Sequence, residues 1–176
     1  MSVSDPTTSL VLAAQGGDRG AFAALVEGHW AMLVRLARSV VGEAEAEDLA
    51  QEALIVAWRK LSGLSDPSRF PSWVTRIVFR RSLRRARRRK SEVRIEALGN
   101  PGQWPDTESS LYVWQVLSRL APRQRAVLHL TVIEGMVDRE IGAALGISAS
   151  SVRVHLMRAR ERVGELMKGE RAHVGF

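Results

Sequence analysis

The 176-residue chain has an ordinary apolar content and a net charge of +7, enough for one ordinary domain or two small ones. It has no cysteine, which excludes a disulfide scaffold and a Cys-based zinc site and fits a reducing, cytoplasmic setting. Charges break every apolar stretch well short of 18 residues, so no membrane-spanning helix is expected, and the start MSVSDPTTSL lacks the basic and apolar regions of a signal peptide.

The elements predicted in chain order are all helical, because apolar residues recur at three- and four-residue spacings and hardly anywhere at two. A short amphipathic helix covers Thr8 to Gln15 and ends at Gly16 and Gly17. Asp18 is placed to cap a second helix that runs to about Val41, with Phe22, Leu25, Val26, Leu33, Leu36 and Val40 on its apolar stripe. After Gly42 a third helix covers about Glu43 to Leu61, and the acids crowded into its first turn suit the helix dipole. The turn cluster SGLSDPS precedes a fourth helix from about Phe70 to Lys90, with Phe70, Trp73, Val74 and Ile77 facing inward.

Residues 91–108, SEVRIEALGNPGQWPDTE, lose the helical period and read as a flexible linker. Helices then follow near Ser109–Leu120, Pro122–Ile133, Asp138–Leu145 and Ser148–Met167. The predicted architecture is therefore two small helical domains, 1–90 and 109–176, joined by that linker. Halves of this size are only marginally stable alone, which fits a chain that docks on a partner.

Charge is segregated along these elements. Residues 1–66 hold five Lys/Arg and nine Asp/Glu, residues 67–94 hold eleven and one, and residues 95–176 hold ten and nine. A local basic block points to a polyanion partner, against the alternative of an ordinary solvated face. Nine of its cations fall between Arg76 and Lys90. Arg76, Arg80, Arg84 and Arg88 form an i,i+4 row that repels itself by a few tenths of a kcal/mol per pair unless an anion neutralises it. Phe70 and Trp73 lie just upstream, where aromatics beside a basic helix can hold unstacked bases, although core packing is the plainer reading of each ring.

The segment DREIGAALGISASSVRVHLMRARERV carries the strongest local motif. Ile141, Ala144 and Leu145 give one helix a buried side, and Gly146 permits a tight turn. Ser148 is an N-cap, and Ile147 and Val152 stand at hydrophobic-staple positions. Val152, Leu156, Ala159 and Val163 face the core, which leaves Ser150, Ser151, Arg153, Val154 and Met157 outward, with Arg158 one step further on. Against the alternative of a plain helical hairpin with an arginine-rich solvated face, the turn, cap and staple together read as a helix-turn-helix whose second helix is expected to enter a major groove, with Arg153 able to reach guanine or phosphate. On the third helix, Asp48, Gln51, Glu52, Ile55 and Arg59 share the face opposite the buried one. Periodicity alone makes that a solvated face; only the apolar Ile55 hints at a protein contact.

These segments together carry a resemblance. AEDLAQEALIVAWR resembles the polymerase-binding region of sigma factors of the extracytoplasmic-function group. FPSWVTRIVFRRSLRRARRRK resembles the region that melts and reads the −10 element. LAPRQRAVLHLTVIEGMVDREIGAALGISASSVRVHLMRARERV resembles the domain that reads the −35 element. The three stand in the family's order over about residues 8–167.

The resemblance implies a sigma factor that binds core RNA polymerase through Asp48, Gln51, Glu52, Ile55 and Arg59. It implies contact with single-stranded −10 DNA through Trp73, Arg76, Arg80, Arg81, Arg84, Arg85 and Arg88, with base preference residing mainly in the loop from Ser62 to Arg69. It implies contact with the double-stranded −35 element through Ser150, Ser151, Arg153, Val154, Met157 and Arg158. It also admits an anti-sigma protein as a regulator, which no residue singles out.

The sequence departs from the family where Arg80 and Arg84 replace a usual Asn and Asp. It departs again at Ser150–Val152, usually Gly-Thr-Val, and at Val154 and His155, usually Ser-Arg. The competing reading is a stand-alone helix-turn-helix regulator, which accounts for residues 138–163 and leaves the acidic and basic helices unexplained. Neither an enzyme nor a small-molecule site is expected. The histidines, His29, His129, His155 and His173, are scattered, and no metal-spaced cluster, phosphate loop, nucleophile motif or cofactor signature occurs.

Overall fold

The computed structural model describes residues 5–92 and 116–174. Among them the regular structure is helical, with no strand. Helix α1 spans Pro6–Gln15, α2 Arg19–Val41, α3 Glu43–Lys60 and α4 Phe70–Glu92. In the second half α5 spans Pro122–Val132, α6 Asp138–Leu145 and α7 Ala149–Val174. These limits follow the sequence pattern closely, except that α7 continues well past Met167. The expected linker, save for the residues at its start that end α4, and most of the helix expected over 109–120 lie outside the described residues.

Local chemistry sets the ends. The Asp5 carboxylate accepts from the Thr7 N–H at the start of α1, and Asp18 accepts from the Ala21 N–H at 3.0 Å to start α2. Asp66 accepts from both the N–H and the hydroxyl of Ser68, fixing a 3-10 turn over Pro67–Arg69 just before α4. In the second half the side chain of Glu140 folds back to accept from the Val137 N–H, ahead of α6.

Helix α2 is the central beam. Leu25, Leu33, Leu36 and Val40 are buried against α1, α3 and α4, with Phe22 and Val26 partly covered at the edge. Phe70 and Val74 of α4 are fully buried, while Trp73 and Ile77 are partly covered. Phe70 has become a core ring with the His29 imidazole edge-on to it at 5.4 Å, so it is unavailable to stack on a base.

The second half packs back onto the first. Ala126, Val127, Leu130, Ile141, Leu145 and Val152 belong to the same buried cluster as the core of α1–α4. Polar side chains stitch this seam. Arg35 of α2 donates two hydrogen bonds to the Glu134 carboxylate, at 2.8 and 2.9 Å, and His129 of α5 meets the same carboxylate at 3.1 Å. Arg125 of α5 donates to the Val40 carbonyl at 2.8 Å, at the end of α2. Burial pushes the Arg125 pKa down to about 10, still charged at any physiological pH.

Candidate functional site

Three surfaces carry the functional expectations. On α3 the row Asp48, Gln51, Glu52, Ile55 and Arg59 is exposed throughout. Its buried counterpart, Ala46, Leu49, Ala50, Ala53, Leu54 and Ala57, is mostly alanine, which brings α3 close to its neighbours. Ile55 leaves 53% of its surface in water. It is an apolar side chain set among polar ones on that exposed face.

The acids of α3 face the arginines of α4 across a groove. Glu52 pairs with Arg81 at 2.6 Å, and Glu45 pairs with Arg85 and, at 3.6 Å, with Arg89. This arrangement divides the basic helix into two rows. Arg81, Arg85 and Arg89 turn toward α3 and are compensated there. Arg80, Arg84 and Arg88 are exposed and have no ion-pair partner among the described residues. The resemblance offered Arg80, Arg81, Arg84, Arg85 and Arg88 alike as DNA contacts and left out Arg89. It missed Glu45, whose only signal was an acid placed one helical repeat before Glu52.

Arg76, the first member of the expected row, points elsewhere. Its guanidinium donates to the Ala143 carbonyl from Nε at 3.1 Å and from NH2 at 2.5 Å. Ala143 lies in the last turn of α6, where carbonyls lack partners within the helix and carry the negative end of its dipole. Arg76 therefore caps the first helix of the helix-turn-helix from α4. Trp73 rests partly covered against Phe70, ring centroids 6.1 Å apart.

The loop between α3 and α4 is well pinned. Leu61 and Leu64 are buried and Ser62, Gly63, Ser65, Ser68 and Arg69 are exposed. The amide of Gln15, at the end of α1, donates to the Leu61 carbonyl at 2.9 Å and to the Leu64 carbonyl at 2.8 Å.

The helix-turn-helix has the geometry its residues require. Gly146 sits at φ +71, in the left-handed region that other residues adopt only at a cost. A Cβ on Gly142 would lie 2.8 Å from the Ile147 carbonyl oxygen, so the close approach of α6 to the turn depends on glycine there; sequence reasoning passed over it. The Ser148 hydroxyl accepts from the Ser151 N–H at 3.1 Å, as an N-cap should. Val152 and Ala159 are buried, and Leu156 and Val163 partly so. Ser150, Arg153, Val154, Met157 and Arg158 are exposed, and Ser151 is half-covered beside the cap. Arg153 meets Asp138 at 3.4 Å, a long contact for an ion pair.

Burial lowers the pKa of His155, with the positive charge of Arg123 and Arg158 acting in the same direction. Among the described residues no cluster of His, Asp and Glu could hold a metal ion, and no helix is long and apolar enough to cross a membrane.

Comparison with known proteins agrees with this layout. The sigma-70 region 2 family matches residues 25–92, and the sigma-70 region 4 family matches residues 110–163. The RNA polymerase sigma factor NccH of Alcaligenes xylosoxydans xylosoxydans is 32% identical over 94% of this chain and 98% of its own. The ECF RNA polymerase sigma factor SigE of Mycolicibacterium smegmatis is 32% identical over 93% of this chain and 68% of its own. The chain belongs to the ECF group of sigma-70 factors. This sigma factor therefore directs transcription initiation, and the stand-alone regulator is not favoured, since region 2 covers the α2–α4 segment which that reading leaves unexplained. Its fold is similar to that of CnrH, solved in complex with the cytosolic domain of CnrY, with a TM-score of 0.74 at 29% identity over 94% of this chain and 99% of that one.

Proposed function

We propose that this sigma factor docks on core RNA polymerase through the exposed face of α3, and grips the −10 region as a single strand with Arg80, Arg84 and Arg88 of α4. The loop from Ser62 to Arg69 chooses bases, and the start of α7 sits in the major groove of the −35 element. The observation that carries this reading is the division of labour on α4. One arginine row is neutralised by α3; the other is exposed with no ion pair among the described residues, even where Arg84 and Arg88 line the same groove as the acids, an arrangement that favours a phosphate backbone over internal structure. The reading gives residues 1–90 to polymerase and −10 contacts and residues 109–176 to the −35 contact, with 91–108 as the linker between them. CnrH was solved with the cytosolic domain of CnrY, which supports an anti-sigma protein as a third partner. A cytoplasmic location follows from the role.

The polymerase face is tested with Asp48→Arg combined with Ile55→Arg. Glu52 is left in place because its pairing with Arg81 would confound the result. Two positive charges on a contact face should cost several kcal/mol if the contact is desolvated, so core polymerase should no longer retain the folded variant in a pull-down. Wild-type retention by core polymerase would refute the assignment of α3.

A further inference from the structure

We propose that Gln15 is a positioning residue for −10 base choice, acting through the loop it holds; this rests on the reading of that loop as the base-selecting element. The loop runs from the end of α3 to the start of α4 and closes on itself at two places. Leu64 donates its N–H to the Leu61 carbonyl at 3.0 Å, and Asp66 caps the turn over Pro67–Arg69. Ser62 and Gly63 inside the first closure and Ser65 between the two are exposed, while Leu61 and Leu64 are buried as anchors.

Apolar anchoring fixes where the loop sits but not how its peptide planes are turned. Two carbonyls decide that, Leu61 and Leu64, and both accept from the one side-chain amide of Gln15. A primary amide has two N–H donors, and here both are used across separations of 46 and 49 residues. The two bonds bracket the exposed tip, Ser62 and Gly63. Gln15 is itself held, since it ends α1 where Val11 and Ala14 are buried. The Gly16 N–H that follows bonds back to the Leu12 carbonyl. Turning the Leu64 peptide would take a half-buried carbonyl away from Gln15, and turning the Leu61 peptide would break its bonds from both Gln15 and the Leu64 N–H; a buried acceptor left unpaired costs more than the bond itself yields. The loop is thus preorganised by a residue that stands outside it in sequence. Preorganisation of a recognition loop appears in discrimination between ligands, because a loop free to adjust fits several bases about equally well.

The test uses full-length protein assembled with core polymerase. Gln15→Glu keeps the shape and removes both donors, setting a carboxylate against two carbonyl oxygens. Gln15→Leu removes the donors without adding charge, and supplies the result if the glutamate variant does not fold. Each holoenzyme selects from a randomised single-stranded DNA library, and the enrichment of preferred −10 sequences over the mean is counted. Both variants should bind core polymerase as wild type does and bind the unselected library with unchanged salt dependence. Enrichment should fall roughly fivefold to tenfold, the effect of about one net hydrogen bond on a ratio of affinities.

A control triple variant, Ser62→Ala with Ser65→Ala and Arg69→Ala, separates the two claims. If the triple variant keeps wild-type enrichment, the loop does not choose bases and the reading beneath the proposal fails. If the triple variant loses enrichment while both Gln15 variants keep it, the loop reads bases without help from Gln15 and the proposal alone is overturned. A loss in Gln15→Glu but not in Gln15→Leu also overturns it, since added charge rather than missing donors would be the cause.

Discussion

Arg153 stands at the outward start of α7 with 66% of its side chain exposed, and Asp138, of opposite charge, is 3.4 Å away. Exposed pairs of this kind contribute little, so Arg153→Ala should change folding stability by less than about 0.5 kcal/mol. If α7 enters the major groove as proposed, loss of the same guanidinium should cost about 1–3 kcal/mol on the upstream element where it reads a base. Core polymerase binding should be unaffected. A cycle pairing Arg153→Ala with single-base changes in the −35 element distinguishes the two kinds of contact. Coupling at one base pair identifies that base as its partner, and strictly additive effects at every position leave Arg153 with phosphate alone. Ser148 and Gly146 made this site legible from sequence, because capping and a left-handed turn are chemistry that a single residue announces. Gly142 was not legible, because its role depends on a carbonyl five residues ahead that the turn folds back over it.

Helix α4 shows what periodicity delivers and where it stops. Its span, its buried Phe70 and Val74, and its long basic stretch all follow from spacing alone. What spacing could not resolve is the fate of each arginine, because that depends on α3 and α6, which arrive from 29 to 67 residues away in sequence. Arg81 and Arg85 are drawn to α3, and Arg76 is drawn to the end of α6. Arg80 and Arg84, which stand where the family resemblance leads one to expect a short amide and an acid, remain exposed. Arginine cannot accept a hydrogen bond and reaches further than asparagine, so the exposed row should hold the strand by backbone charge. Arg80→Asn with Arg84→Asp should weaken holoenzyme binding to single-stranded −10 oligonucleotides. It should also flatten the salt dependence, the slope of log K against log salt falling by roughly 0.7 for each phosphate that is no longer neutralised. Base preference should survive if, as proposed, it resides in the preceding loop. Fluorescence anisotropy across a salt series measures both quantities, and an unchanged slope would assign these arginines to a protein contact instead.

At the scale of the whole molecule, the two halves share one buried cluster, and the seam between them has titratable groups at its edge. Glu134, 12% exposed, accepts both hydrogen bonds of Arg35, 42% exposed, and meets His129 as well. The bonds from Arg35 hold the Glu134 carboxyl below the usual carboxylate range. Burial pushes the His129 imidazole down from its ordinary value, against the opposing pull of Glu134 and with help from the charge on Arg35. Both shifts act in one direction on stability. A depressed Glu134 stabilises the fold fully above its unfolded value and loses that contribution as pH falls through the folded one. A depressed His129 leaves the unfolded chain holding more protons below about pH 6.5, so stability again declines on acidification. His155 has a lowered pKa for its own reasons and adds to the same trend. The thermal midpoint should therefore fall between pH 7.5 and pH 5.5, a window in which the imidazoles and not Glu134 titrate. His129→Gln keeps a hydrogen-bonding group beside Glu134 and removes the titration, and should make that fall shallower. Glu134→Gln leaves the Arg35 charge without its counterion and should lower the midpoint at pH 7.5. The cost is about 1–2 kcal/mol, modest because Arg35 is well exposed to water. Calorimetric midpoints across the pH series decide the matter: a slope for His129→Gln as steep as that of wild type would remove His129 from the account and leave the acid sensitivity to His155.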